Sequence, residues 1–261
     1  MILLTGSEGF IGSNFKKALI NEEVICVDED NCQQFLFGFK DWDKVSLIIH
    51  QGAISSTTEK DVKKLYTWNI EYTIDLFEIA RIFHIPIKYA SSASVYGNMD
   101  GIFNPINHYA LSKLQIDYWV QDHIDEFVSI QGFRYFNVYG DGEDHKGDQA
   151  SPVSKFTKQI KETGSLKLFE GSDQFKRDFI CVNDVVDIVL NNDKPSGIYD
   201  LGTSNPISFA DVANAVAARY NGSIEIVPFP DHLVGKYQSY TCAKPEWGNH
   251  RFTTLEEYLN A

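Results

Sequence analysis

Short apolar runs alternate with longer stretches of helical periodicity through the first two thirds of the chain. Met1–Leu4, Val24–Asp28, Val45–His50, Ile85–Ala90 and Val128–Phe133 are continuous apolar runs of strand length. Between them, Ile11–Ile20, Asp61–Phe83 and His108–Phe127 repeat apolar residues every three or four positions, which predicts helices. This order predicts an α/β fold, a Rossmann-type doubly wound parallel sheet with helices on both faces. From Gly140 the pattern changes to loops, a helix at Ser154–Thr163 and a short strand at Lys167–Glu170. Asp178–Leu190 reads as a strand running into a helix, followed by a helix at Phe209–Tyr220 and a strand at Ser223–Pro228. The expected division is a large domain from residues 1–140 and 178–202, and a smaller C-terminal α/β domain from 141–177 and 203–261.

The helix over Asp61–Phe83 shows two apolar stripes, one through Val62, Tyr66, Ile70 and Phe77, the other through Leu65, Trp68, Tyr72, Leu76 and Ile79. The helix from His108 adds Tyr118 and Trp119. Apolar faces on two sides, with aromatics, predict that these helices are shared with a second copy in a homodimer or higher oligomer.

Thr5-Gly6-Ser7-Glu8-Gly9-Phe10-Ile11-Gly12 follows the first strand and opens the first helix. Gly6 permits the tight turn, Gly9 a close backbone approach to a pyrophosphate at the helix N-terminus, and Gly12 close helix–strand packing. Asp28 follows at the end of the second strand, where an acid accepts from ribose hydroxyls. Glu29 and Asp30 extend the acidic run, which disfavours the extra phosphate of NADP. The expected cofactor is NAD, with NADP the alternative, and the first domain is the dinucleotide-binding one.

Tyr109 and Lys113 stand four apart on a predicted helix, hence on one face. An ammonium beside a phenol favours the phenolate, and that phenolate can take a proton from a hydroxyl. The preceding Tyr89-Ala90-Ser91-Ser92-Ala93-Ser94-Val95-Tyr96-Gly97 supplies hydroxyls able to hold the reacting group.

Composition changes the picture in two ways. With 23 Lys+Arg against 36 Asp+Glu and a formal charge of -13, the chain disfavours nucleic acid as a partner. Yet residues 145–177 hold 7 basic and 4 acidic side chains, a local cationic stretch containing Lys146 and Arg177. Cys26, Cys32, Cys181 and Cys242 lack metal or redox spacing and read as reduced thiols of a cytoplasmic protein, with Cys26 and Cys181 in the core. The histidines show no metal spacing, and no run is long enough to span a membrane.

Together with Phe133-Arg134-Tyr135-Phe136-Asn137-Val138-Tyr139-Gly140, these motifs resemble, in order and over nearly the whole chain, the extended short-chain dehydrogenase/reductase family, which acts mainly on nucleotide-diphosphate sugars. The resemblance implies that Ser92, Tyr109 and Lys113 are catalytic. It implies cofactor contacts from Gly6, Gly9, Phe10, Ile11, Gly12, Asp28, Gln51, Ala53, Asn69, Tyr109 and Lys113. It implies that Asn137 and Arg177 hold the substrate diphosphate, with further substrate contacts from Ser92, Ser94, Phe169, Glu170 and Tyr237.

Sugar 4,6-dehydratases of this family carry an Asp-Glu pair where this chain has Ala93 and Ser94, so dehydration is disfavoured. The segments His50–Glu59, His145-Lys146-Gly147 and Leu168–Phe179 are similar to the heptose 6-epimerase branch of the family, whose substrate is ADP-heptose. That likeness implies a second acid/base, matched by Lys146, on the opposite side of the reacting carbon from Tyr109. Another nucleotide-sugar oxidoreductase (a 4-epimerase or a reductase) and a dinucleotide-binding protein without turnover are the alternatives. The chain departs from its relatives by a compressed segment at Asn31–Asp43 and a trimmed one near Ala243–Arg251.

Overall fold

The structure is a computed structural model, and it describes residues 1–98, 101–231 and 238–261. In chain order the elements are β1 (Ile2–Thr5), α1 (Phe10–Ala18), β2 (Val24–Val27), α2 (Cys32–Gly38), β3 (Leu47–His50), α3 (Val62–Leu65), α4 (Tyr72–Ile82), β4 (Ile87–Ser92), α5 (His108–His123) and β5 (Ile130–Tyr135). There follow β6 (Asn137–Tyr139), α6 (Pro152–Thr163), β7 (Ser165–Phe169), β8 (Lys176–Arg177), β9 (Phe179–Cys181), α7 (Val182–Asn191), β10 (Gly197–Leu201), β11 (Ile207–Ser208), α8 (Phe209–Tyr220), β12 (Ser223–Val227) and α9 (Leu255–Asn260).

Two compact units result. The first comprises Met1–Gly97, Gly101–Tyr135 and Val186–Asp200, and the second takes Phe136–Val185 and the described residues after Leu201. The first is organised by a six-stranded sheet in the order β10-β5-β4-β3-β1-β2. The pairings β2–β1, β1–β3, β3–β4 and β4–β5 are all parallel. The chain runs from β1 outward to β2 and then returns across β1 to β3. That reversal is a topological switch point, and ligands of such sheets bind outside the strand ends there. Leu3 and Leu4, like Ile48 and Ile49, are fully buried on successive positions, as expected of parallel strands covered on both faces.

The long helix predicted over Asp61–Phe83 exists, but a π turn at Tyr66–Glu71 interrupts it between α3 and α4. The wider turn rotates everything after it relative to an unbroken α-helix. The predicted stripe Val62–Tyr66–Ile70–Phe77 is therefore not one face. Val62 and Tyr66 are exposed, while Phe77 is fully buried beside Leu65, Tyr72 and Leu76. Trp119, predicted at the surface, packs on Phe77 at 5.6 Å and belongs to the core, whereas Tyr118 is 48% exposed. Cys181 is buried as predicted. Cys26 is only half-buried, because β2 is the sheet's edge strand.

The second unit has its own core of Tyr139, Val153, Phe156, Leu166, Val212, Val216 and their neighbours. Ser208 caps α8 reciprocally with Asp211, the arrangement that fixes a helix start. Here β12 pairs parallel with β7, and β9 with β6.

Candidate active site

The glycine turn sits at the switch point of the first unit. Gly6 has φ of +69°, and a Cβ there would lie 2.6 Å from Gly52 N. A Cβ on Gly12 would lie 1.9 Å from Gly6 O, so α1 packs directly on the turn. Gly9 caps α1 without a side chain, so no side chain of its own occupies the N-terminus of α1. Phe10 is buried beneath the turn and Ile11 half-buried.

Asp28 grips this turn from below. Its Oδ2 accepts from Ser7 Oγ at 2.5 Å and its Oδ1 from Glu8 N at 3.0 Å, while Glu29 and Asp30 are exposed. Across the turn, Gln51 Oε1 accepts from Tyr135 Oη at 3.0 Å, but Gln51 Nε2 is buried and has no hydrogen-bond partner. Ala53 is half-buried in the same crossing segment. A glycine cradle that any Cβ would fill, an uncapped helix N-terminus and an orphaned amide donor fit a dinucleotide.

Asn69 occupies the π turn and is 1% exposed. Its Oδ1 accepts from Ile54 N at 2.8 Å, and its Nδ2 donates to Ile54 O and to Ser112 Oγ, both at 3.0 Å. Both amide hydrogens are thus committed inside the protein. Asn69 thus ties the segment after β3 to α5, where Ser112 Oγ donates to Tyr109 O at 2.7 Å.

The Tyr109 phenol lies near the Ser92 hydroxyl, which accepts from Ser94 N at 3.2 Å and Ser94 Oγ at 2.9 Å. Lys113 is buried, and its Nζ donates to Ala90 O at 2.9 Å. Burial pushes the Lys113 ammonium down to about 8, opposed by the charge of Asp117. The sequence argument expected Lys113 to hold the Tyr109 phenol down. In the structure burial raises the phenol, and the opposing influence comes from the Ser92 hydroxyl. Desolvation of the phenolate is the larger effect here.

Spacing alone did not reveal the groups beneath this pair. Asp117 lies one further turn along the same face and is fully buried. Its Oδ2 accepts from Arg134 Nε at 2.8 Å and its Oδ1 from Tyr89 Oη at 3.2 Å. Arg134 Nη1 donates to Tyr96 Oη at 2.9 Å, which in turn donates to Asp200 Oδ1 at 2.6 Å. His50, also buried, lies between Thr5 Oγ1 at 2.6 Å and Thr73 Oγ1 at 3.0 Å. The positions 109, 113 and 117, at i, i+4 and i+8, were the available signal for Asp117.

In the second unit, Lys146 is half-buried on a loop that Glu143 ties together. The buried Glu143 carboxylate accepts from Gly140 N at 3.1 Å, Ser151 N at 2.5 Å and Ser151 Oγ at 2.7 Å. Burial pushes the Lys146 ammonium below its ordinary value, and the Glu143 charge opposes this. Arg177 is buried in β8, donating to the carbonyls of Lys176, at 3.0 Å, and Gln238. Asn137 Oδ1 accepts from Thr241 Oγ1 at 3.4 Å, and Thr241 N donates to Lys176 O, so the two predicted diphosphate residues share Thr241 as a neighbour. Phe169, at the end of β7, lies edge-on to Phe229 at 5.7 Å, and the adjoining Glu170 is exposed. Tyr237 lies outside the described residues.

The sequence profile of the NAD dependent epimerase/dehydratase family matches residues 2–202. The chain belongs to that family. Its cofactor is therefore NAD, which suits the acidic rim at Asp28–Asp30. The chain is 40% identical, over 93% of its own length and 89% of the relative's, to an ADP-L-glycero-D-manno-heptose-6-epimerase of Brachyspira hyodysenteriae. Among solved structures, the Helicobacter pylori ADP-L-glycero-D-manno-heptose-6-epimerase superposes with a TM-score of 0.84 at 27% identity, covering 99% of this chain and 93% of that one. The UDP-glucose 4-epimerase of Thermus thermophilus in complex with NAD shares the fold, with a TM-score of 0.82 at 21% identity over 99% of this chain and 96% of that one. The chain is an enzyme of the same NAD-dependent epimerase family as these relatives. Among the described residues no helix is long and apolar enough to cross a membrane.

Proposed function

We propose that this protein inverts the C6 centre of an ADP-activated glycero-manno-heptose, with the first unit binding the dinucleotide and the second the nucleotide sugar. The observation that carries this reading is the 40% identity over 93% of the chain to a heptose 6-epimerase. The replacement of the dehydratase acid pair by Ala93 and Ser94 supports it by leaving no group to eliminate water.

Bound NAD supplies a reversible hydride acceptor, held by the Gly6–Gly12 turn, Asp28 and Gln51. Tyr109 takes the proton of the C6 hydroxyl, which Ser92 holds, as that carbon, a secondary alcohol that gives up its hydride, becomes a ketone. Lys113, charged below about pH 8, stands one turn along the same helix face and is fixed there by its bond to Ala90 O. When the C6 ketone presents its other face for re-reduction its oxygen turns away from Tyr109, so Lys146 acts as the acid that protonates it there. Burial suits it to this role by bringing its ionisation closer to neutrality. Arg177 and Asn137 hold the diphosphate, and Phe169, Glu170, Ser94 and Tyr237 complete the substrate contacts. The exposed Val62 and Tyr66 of α3 and its π turn, with Leu111 and Tyr118 of the adjacent α5, form the contact face of a homodimer.

The test is to incubate the purified protein with ADP-D-glycero-D-manno-heptose and follow the C6 stereoisomers by NMR. A second isomer accumulates with wild type and is lost with Lys146→Met. No isomerisation by wild type would remove the heptose reading, and full activity in Lys146→Met would remove the two-base mechanism.

A further inference from the structure

Three successive turns of α5 meet the strand β4 in order. Tyr109 lies near Ser92, Lys113 Nζ donates to Ala90 O, and Asp117 Oδ1 accepts from Tyr89 Oη. The helix is thereby read against the strand at three levels, and only the lowest carries a buried charge of opposite sign to Lys113. Asp117 has no surface and no contact with solvent. Its second oxygen is tied to Arg134 on β5, whose guanidinium lies over the Phe103 ring at 4.7 Å and 3.9 Å from Asp200 on β10. A slip of α5 along the sheet would break this ion pair and the Tyr89 bond together. A buried charge left without its partner is costly, so the register is strongly held.

We propose that Asp117 is a positioning residue for the Tyr109–Lys113 pair: it supplies the anion that faces the Lys113 ammonium and the anchor that fixes α5 in register on β4. It touches neither substrate nor cofactor and acts through Lys113 and Tyr109, so the proposal rests on the reading of those two as the catalytic pair. The groups around Lys113 define the electrostatics. On its own helix are Asp117 and Tyr109. From β3 comes His50, which feels the Lys113 charge and is neutral. From β4 comes Tyr89, and from β5 Arg134, which opposes Asp117 and is itself shared with Tyr96 and Asp200. Asp117 is the carboxylate whose charge acts on Lys113, raising it against burial.

Two variants of the full-length protein test this. Asp117→Asn keeps the shape and an acceptor for Tyr89 but removes the charge. With lysine labelled in its 13Cε position, the titration of Lys113 is followed by NMR, its resonance identified through Lys113→Arg. The Lys113 midpoint falls by about one pH unit or more in Asp117→Asn, a readout that needs no substrate and that mere loosening would not produce. Tyr89→Phe keeps both charges and removes the anchoring bond. It lowers kcat about fivefold or more with KM unchanged, because the substrate contacts are intact and only the placement of the base suffers. An unshifted Lys113 in folded Asp117→Asn overturns the proposal. If that variant does not fold, Tyr89→Phe decides, and wild-type kcat there overturns it. Tyr109→Phe separates this failure from failure of the underlying reading. A Tyr109→Phe protein that still epimerises refutes the catalytic pair and Asp117's role with it, whereas an inactive one leaves the Asp117 outcomes to stand alone.

Discussion

Acid should loosen the cofactor turn through one residue, His50. Its imidazole is 2% exposed and is held between Thr5 on β1 and Thr73 on α4. Thr5 Oγ1 also accepts from Gly52 N at 3.2 Å, and the Gly52 backbone closes against Gly6. Burial, with a smaller contribution from the Lys113 charge, lowers the His50 pKa to about 3 from an ordinary 6.5. Between those values the unfolded chain binds a proton that the folded protein refuses. Stability is therefore undiminished above pH 6.5 and is lost progressively as pH falls toward 3. At pH 5 the folded imidazole is still neutral, so the loss depends on the unfolded value alone. The span from 6.5 to 5, at about 1.4 kcal/mol per unit, gives about 2 kcal/mol. The assay is urea unfolding of wild type and His50→Gln at pH 8 and at pH 5. Glutamine retains a donor and an acceptor but does not titrate in this range. Wild type should lose about 2 kcal/mol more than His50→Gln between the two pH values. Equal losses in both proteins would refute the argument, because they would mean that His50 is either reached by water or protonated in place.

Two further variants, one single and one double, probe places that the fold uses differently. Gly12→Ala would place a methyl 1.9 Å from Gly6 O, and since both partners are backbone the turn must move. NAD affinity should fall about tenfold or more by titration calorimetry, and an affinity within twofold of wild type would count against the glycine cradle. The pair Tyr66→Glu with Tyr118→Glu should convert a dimer into a monomer by light scattering, since both side chains are about half exposed on adjacent helices. A wild-type monomer at micromolar concentration would dispose of that interface.

How far the sequence could be read follows from how local each signal is. The Gly6–Gly12 turn and the Tyr109/Lys113 spacing are written in consecutive residues, and the structure seats them on the strand end and the helix face those patterns require. Helix α8 was legible residue for residue because Ser208 and Asp211 mark its start. Helix α2 was not, because Cys32–Gly38 is short, lacks a side-chain cap and leaves Phe37 75% exposed. Strand β10 was missed because its state comes from pairing with β5, far away in sequence, and because its buried positions include Asp200. The π turn was invisible for a further reason. It carries the Asn69 clamp on Ile54 and Ser112, and no helical periodicity records a hydrogen bond to another segment.

The same reasoning explains why the most informative residues of the first unit escaped the pattern. Helix α5 turns Ser112, Lys113 and Asp117 inward together with Leu114, Ile116 and Val120, so its buried side is not an apolar stripe. Binary patterning identifies a helix by what it hides from water, and here part of what is hidden is charged. Strand β5 behaves alike, carrying Gln131 and Arg134 through positions that are all buried. A core of this size could have used apolar residues there at lower desolvation cost. The charges lie where helix α5 crosses β4 and β5, one and two turns along from the base, and Lys113, Asp117 and Arg134 are each engaged by another element. A disagreement between pattern and burial was therefore the pointer to the charged groups that lie along α5 beyond Tyr109.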